Sequence, residues 1–432
     1  MKINSSIGVN EQNHMTFGGA DTVVLAEKHG TPLYVMDESI IRGNLSEFKC
    51  AIDKYYAGNG LVCYASKAFA CKEMYRITAD QDCGIDVASG GELHTAVSSG
   101  FPVGRIVFHG NNKAEWELEL ALRHGIKSIV VDNTEELELL ARLCADGGKT
   151  ANITLRLKPG VKADTHKFIR TGAIDSKFGF GIASGDAMKA VKSALAHKEL
   201  NLMGIHCHIG SQIFDTAPFG EAAKVMLEFI AKVKAETGHL IKELNLGGGF
   251  GIAYTDEDKP CEYDSYMKAT AERIAQVCGD LNIPIPYIII EPGRSIAAPA
   301  GITLYTAGVI KQIPDVRTYV IIDGGITDNP RYELYGAKYD IINASRANLP
   351  KTERITLAGK ACESGDLIGE DMPVQTIEKG DIIAVLSTGA YNYSMSSNYN
   401  RIPKPAVVTV KDGQSKLIVK RETLDDIVRN DL

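Results

Sequence analysis

Four short stretches of this 432-residue chain carry residue types that fit one chemistry. In Tyr64-Ala65-Ser66-Lys67-Ala68 a lysine stands among small and apolar neighbours. Such surroundings strip water from an ammonium, lower its pKa and leave an amine able to attack a carbonyl. The plainer reading of Lys67 is a surface lysine whose stem covers apolar surface. Asn245-Leu246-Gly247-Gly248-Gly249-Phe250-Gly251 is a run of bare amides that a phosphate can approach, or else a flexible turn. Glu291-Pro292-Gly293-Arg294 offers a carboxylate that could keep a pyridine nitrogen protonated, as a pyridoxal 5′-phosphate electron sink requires. An ordinary Glu–Arg ion pair is the alternative. His206-Cys207-His208-Ile209-Gly210-Ser211 sets two histidines on one side of a strand. Zinc would need further ligands, and neither HExxH nor a cysteine pair supplies them, so no metal is expected. An imidazole stacked on a planar cofactor, with Ser211 donating to its phosphate, agrees better with Lys67, the glycine run and Glu291.

The elements that must position these residues form a rhythm between about residues 60 and 292. Apolar or β-branched runs, each ending in a polar cluster and followed by a helical pattern, occur at 61–66, 84–88, 105–108, 128–132, 153–157, 202–206, 241–246 and 287–290. Near-continuous Val, Ile and Leu is the mark of parallel strands buried on both faces. Asn112-Lys113-Ala114-Glu115 predicts a capping box ahead of Trp116 to His124, with Gly125 as the stop, and Thr134 is the predicted cap of 135–145. Eight strand–helix units over about 230 residues match a (β/α)8 barrel. A doubly wound open sheet is the runner-up, but it would usually bring a GxGxxG that is absent here. Barrel sites are built from strand ends. Those ends read Lys67, Asp86, His109, Asp132, Arg156, His208 with Ser211, Gly247 to Gly249, and Glu291 with Arg294.

After Arg294 the pattern changes to short alternating strands at 302–313, 317–322, 354–361, 381–386 and 406–410, with Asp412-Gly413 as a hairpin turn to 417–419. The expected architecture is therefore an α/β protein: a TIM-like barrel over residues 36–293, plus an all-β barrel or sandwich. The β domain would comprise residues 294–432, completed by the N-terminal 1–35 with its strand-like Pro32 to Met36. The basic run Lys158, Lys162, His166, Lys167 and Arg170 reads as a solvated loop, or as a lid over an anionic substrate.

Composition sets the outer bounds. Hydrophobic residues at 44% and charged residues at 23% exclude a long disordered chain, a collagen or a coiled coil. No run of 18 apolar residues is present to span a bilayer as a helix. A net charge of -7 argues against a nucleic-acid binder. Nine cysteines without CxxC spacing fit reduced thiols, and the polar stretch from Met1 to Ala20 lacks a signal-peptide core. A cytoplasmic enzyme is expected.

Together, 64–68, Asp86-Val87-Ala88-Ser89-Gly90-Gly91-Glu92, 206–211, 247–250 and 291–294 resemble the alanine-racemase-fold decarboxylases that use pyridoxal phosphate. Further stretches resemble the diaminopimelate decarboxylases within that group. These are Phe108-His109-Gly110-Asn111-Asn112-Lys113, Asp175-Ser176-Lys177-Phe178-Gly179, Cys362-Glu363-Ser364-Gly365-Asp366, Gly389-Ala390-Tyr391 and 394–400. One departure is Asn329-Pro330-Arg331-Tyr332-Glu333-Leu334-Tyr335, where the family commonly has Arg-Pro-x-Leu-Tyr; Arg331 and Tyr335 keep their spacing.

The resemblance implies that Lys67 holds the cofactor covalently and that His208 stacks on its ring. Asp86, Ser211, Gly248, Gly249, Glu291, Pro292, Gly293, Arg294 and Tyr391 complete the cofactor site, with Glu291 at the ring nitrogen. Arg294, Arg331, Tyr335, Glu363 and Tyr391 would bind the substrate, and Cys362 would return a proton after carbon dioxide leaves. Cys362 and Glu363 would come from a partner subunit, implying a homodimer. The implied reaction converts meso-2,6-diaminopimelate to L-lysine, the last step of lysine biosynthesis. Ornithine- or arginine-type decarboxylation and a non-catalytic cofactor-binding protein on the same fold are the alternatives. Arg331 disfavours the first, because a dibasic substrate would favour an acid there. Lys67 and Cys362, both present, disfavour the second. A racemase would need an acid on each face of the ring, and a stacked His208 blocks one.

Overall fold

The computed structural model describes residues 6–161 and 176–432. Lys162, His166, Lys167 and Arg170 of the basic run, and Asp175, lie outside the described residues. The chain divides into two compact units. One comprises Asn44–Gly251 and Pro260–Gly293; the other comprises Met1–Gly43, Ile252–Lys259 and Arg294–Leu432. Those limits set Ile252–Lys259 apart from the residues around it, where the sequence pattern suggested one continuous segment to residue 293.

The first unit is a barrel of β1 (Gly60–Ala65), β2 (Gly84–Val87), β3 (Ile106–Phe108), β4 (Ser128–Val131), β5 (Ala151–Lys158), β6 (Leu200–His206), β7 (Glu243–Asn245) and β8 (Tyr287–Ile290). Each strand pairs in parallel with the next, and β8 returns to β1 with Ile289 opposite Leu61, which closes the ring. β2, β3, β4 and β7 are buried along their whole length, and of these β3 is wholly apolar and β4 is apolar after Ser128, as expected of strands covered on both faces. Cys63, Val107, Val130 and Ile289 form part of its packed interior.

Two helix starts differ from the sequence expectation. The helix Glu115–His124 begins after Ala114, and Glu117 Oε2 accepts from the Ala114 N–H at 2.9 Å. Asn112 is not the cap, because Lys113 is drawn into buried hydrogen bonds that keep this stretch in the turn. The helix Thr134–Asp146 is capped by Asn133, whose Oδ1 accepts from the Glu136 N–H at 2.9 Å. Asn is at least as good a cap as Thr, so Thr134 becomes the first helical residue.

In the second unit the N-terminal strand Leu33–Asp37 lies mid-sheet. It pairs antiparallel with Gly301–Ile313 and parallel with Ala406–Lys411. The sheet continues through Arg317–Ile322 and Glu353–Ala358 to Leu367–Val374 at one edge, and through Gln414–Val419 at the other. Phe17, Leu33, Val35, Leu304, Ala384 and Val408 sit in its core. Among the described residues no helix is long and apolar enough to cross a membrane.

Candidate active site

Four strand ends of the barrel converge on one carboxylate. Glu291 follows β8 and is 6% exposed. Its Oε1 accepts from His109 Nε2 at 2.7 Å and from Asn245 Nδ2 at 2.6 Å. Its Oε2 lies 3.3 Å from His206 Nε2. His109 follows β3, His206 ends β6 and Asn245 ends β7. Burial by itself would raise the Glu291 pKa, but His109 and His206 outweigh it and hold the carboxyl well below its usual range. Burial pushes His206 down to about 3 and lowers His109, against the pull of Glu291 in both cases. At neutral pH the centre is thus an anion among neutral imidazoles. Ligating atoms of His109, His206 and Glu291 lie within 4.8 Å of one another, a grouping metal ligands also show, and within it His109 is hydrogen-bonded to the Glu291 carboxylate. The buried Nδ1 of His206 has no hydrogen-bond partner among the described residues.

Asp86 ends up beside this group, 4% exposed on β2 and opposite Ala65. Burial, then the charge of Glu291, raises its pKa well above the usual value. Lys67 departs from expectation. It sits on the turn Ser66–Ala68 at the end of β1, where Ser66 and Ala68 are buried but Lys67 itself is exposed. The apolar neighbours pack into the barrel wall and leave the lysine at its mouth, so the amine is accessible rather than desolvated. Its charge is felt by Asp86, Glu92, His109 and His208.

His208 is half-buried, and its Nδ1 accepts from the Gly248 N–H at 3.3 Å. Burial, then the positive charges of Lys67 and Arg156, keeps its pKa well below the usual value, which leaves a neutral ring. Ser211, also half-buried, lies beyond it on the same loop. Gly247 has φ +68°, and a Cβ on Gly248 would stand 2.1 Å from the carbonyl oxygen of Glu291. Only bare backbone fits so close to the β8 end. Pro292 accepts from the Ala65 N–H at 3.1 Å, and a Cβ on Gly293 would meet Ala65, so both brace the strand that carries Lys67. An orphaned buried imidazole nitrogen, an anion with one oxygen lightly engaged, and a glycine cradle fit a planar nitrogen heterocycle bearing a phosphate.

The second unit holds the remaining candidates. Arg331 is 7% exposed, and its Nε donates to Tyr339 Oη at 3.0 Å. Its guanidinium lies 5.2 Å from the Tyr335 ring centre and 5.3 Å from that of Tyr391. It has no carboxylate partner among the described residues. Burial lowers its pKa and the surrounding tyrosines more than reverse that, for a net rise. Arg294 Nη1 donates to Tyr254 Oη at 2.6 Å, and its guanidinium stands 4.8 Å from the Tyr391 ring centre. Tyr391 has φ +68°, a strained value for a non-glycine residue. Cys362 and Glu363 lie on an exposed loop. Asn400 Oδ1 accepts from the Cys362 N–H at 2.7 Å, and Cys362 is one of two exposed cysteines among nine.

The sequence pattern put His109 at a strand end without linking it to Glu291, and it did not single out Asn245, Tyr254 or Tyr339. The signals for two of them were present: His109 closes an apolar run, and Asn245 opens the glycine loop.

The family profile described as "Pyridoxal-dependent decarboxylase, pyridoxal binding domain" matches residues 41–298. The diaminopimelate decarboxylase of Bacillus subtilis is 47% identical over 426 residues, covering 98% of this chain and 96% of that protein. That of Synechocystis is 42% identical over 98% of this chain and 91% of its own. The crystal structure of diaminopimelate decarboxylase from M. jannaschii in complex with L-lysine superposes with a TM-score of 0.92 at 37% identity, covering 100% of this chain and 99% of that one.

Proposed function

Since the chain belongs to the diaminopimelate decarboxylases of the pyridoxal-dependent decarboxylase family, we propose that it converts meso-2,6-diaminopimelate to L-lysine and carbon dioxide. The observation that carries this reading is the buried Glu291 carboxylate, fixed by His109 and Asn245 beside the glycine loop. Bound pyridoxal phosphate supplies a conjugated system that takes up the electron pair left when a carboxylate departs from Cα. Lys67 provides the tethering amine. Ser211, Gly248, Gly249 and Tyr391 would hold the phosphate. Glu291, held ionised, would keep a proton on the ring nitrogen of the bound cofactor, since an anion there favours the protonated form. His208, kept neutral by burial and by the charges of Lys67 and Arg156, would offer its imidazole to the ring of the bound cofactor and keep water from it. Cys362 returns the proton to Cα.

Arg331 is the residue that selects the substrate's far carboxylate. A buried guanidinium ringed by tyrosines, with no carboxylate partner among the described residues, is left with donors for a bidentate acceptor, and charge-assisted forks of this kind are the stronger hydrogen bonds. Breaking such a desolvated pair typically costs about 2–5 kcal/mol. Arg331→Ala is therefore expected to lower kcat/KM for diaminopimelate by roughly 30-fold or more while leaving the cofactor spectrum unchanged. Arg331→Lys should recover part of the loss, because a point charge cannot form the fork. A fall below about fivefold in folded protein would mean a structural arginine worth at most about 1 kcal/mol and would reopen the substrate assignment.

The active enzyme is a homodimer in which Cys362 and Glu363 serve the partner's site, and it works in the cytoplasm. The exposed Cys362 loop and nine cysteines free of disulfides support these readings. Mixing inactive Lys67→Ala and Cys362→Ala subunits should restore up to about a quarter of native activity, since each hybrid dimer keeps one intact site of two. No recovery after proven subunit exchange would place both residues in sites built from a single chain.

A further inference from the structure

Behind the Glu291 centre lies a buried cation that the chemistry above does not use. The Lys113 side chain is 1% exposed and that of Glu136 is 3% exposed. Lys113 Nζ donates to three acceptors on three elements. These are Gly110 O at 2.8 Å in the turn after β3, Val130 O at 2.7 Å in β4, and Glu136 Oε1 at 2.6 Å in the helix Thr134–Asp146. Glu136 Oε2 in turn accepts from the Asp132 N–H at 3.2 Å. The same turn is held at Asn111 O by Asn133 Nδ2, at 3.1 Å. His109, the donor to Glu291, is the residue just before Gly110.

A buried ion pair is a poor way to gain stability, because desolvation consumes most of the attraction and an apolar pair of like volume often does as well. What an apolar pair cannot do is hold a carbonyl in place. The three directed N–H bonds of one ammonium fix the Gly110 peptide against β4 and the following helix, and with it the backbone from which His109 reaches Glu291. Lengthening that hydrogen bond by even a fraction of an ångström would loosen the carboxylate.

We propose that Lys113 is a positioning residue for Glu291, acting through the β3 turn and His109. The proposal rests on the reading of Glu291 as the partner of the cofactor's ring nitrogen. The test compares Lys113→Met/Glu136→Leu with wild type. This double substitution removes both charges and so avoids the stranded carboxylate that Lys113→Met alone would leave. Three quantities are read: thermal midpoint, Kd for pyridoxal phosphate by fluorescence titration, and kcat against KM for diaminopimelate.

A positioning role predicts a nearly unchanged midpoint, a Kd for pyridoxal phosphate raised about tenfold, and kcat lowered about tenfold with KM within twofold. Asn133→Asp keeps the helix cap but removes the donor to Asn111 O. It should move Kd and kcat the same way by about threefold. Wild-type Kd and kcat in either folded variant would overturn the proposal. Wild-type protein that neither binds pyridoxal phosphate nor decarboxylates diaminopimelate would instead refute the functional reading on which it rests.

Discussion

Lys67→Ala is expected to lower kcat/KM for diaminopimelate by about three orders of magnitude or more, with the fold intact. The size follows from what the residue supplies. Lys67 is the lysine at the β1 end, exposed on the turn Ser66–Ala68 and close enough for its charge to act on Asp86, His109 and His208. Losing it removes both the nucleophilic amine that tethers the cofactor and a group able to move protons beside Cα, and positioned proton transfer alone is worth about 10²–10⁴-fold. Lys67→Arg should fare no better, since a guanidinium stays protonated and cannot attack a carbonyl. Borohydride should fix the cofactor irreversibly to Lys67 in wild type and to no residue in the variant. Mass-spectrometric recovery of the adduct on a different lysine would disprove the assignment. The exposed position costs little stability on mutation, so a midpoint within a few degrees of wild type should accompany the loss.

Glu291→Gln is the second large effect, an expected fall in kcat of about 10²–10³-fold, the range seen when one preorganised electrostatic partner is removed from an enclosed site. The amide oxygen of Gln can still accept from His109 and Asn245, so the surrounding hydrogen bonds survive and the charge alone is removed. The sign with pH follows from the direction of the shift. With its folded-state pKa depressed, Glu291 keeps its charge well below neutral pH and loses it only as pH falls through that low value. The acid limb of the wild-type rate should therefore not reflect Glu291, and the Gln variant should be slow at every pH. Glu291→Asp, which keeps the charge but withdraws it by one methylene, should recover a fraction of the rate. A Gln variant within about fivefold of wild type would mean that the ring nitrogen does not depend on this carboxylate.

The barrel was legible because parallel strands covered on both faces leave short runs of Val, Ile and Leu. Because the polar residue ending each run falls at one mouth of the barrel, Lys67, Asp86, Glu291 and the glycine loop could be named before any geometry. The pairing of His109 with Glu291 was not legible. The two are 182 positions apart, and only ring closure through β8 and β1 makes them neighbours. Nor was the exposure of Lys67, since apolar neighbours in sequence face the wall while the lysine faces the mouth. In the second unit, Leu367–Val374 escaped detection because Gly369, Asp371 and Pro373 interrupt its pattern. As an edge strand it tolerates a proline that a central strand would not. The helix caps shifted by a residue or two because Lys113 and Asn133 make tertiary and capping bonds that local patterns do not encode.

The most direct test is incubation of the purified chain with pyridoxal phosphate and meso-diaminopimelate, following carbon dioxide and lysine together, with ornithine and arginine as controls. Carbon dioxide and lysine should appear in equal amounts, and neither control should turn over comparably. Faster decarboxylation of ornithine or arginine, or no lysine from diaminopimelate by cofactor-loaded protein, would contradict the assignment.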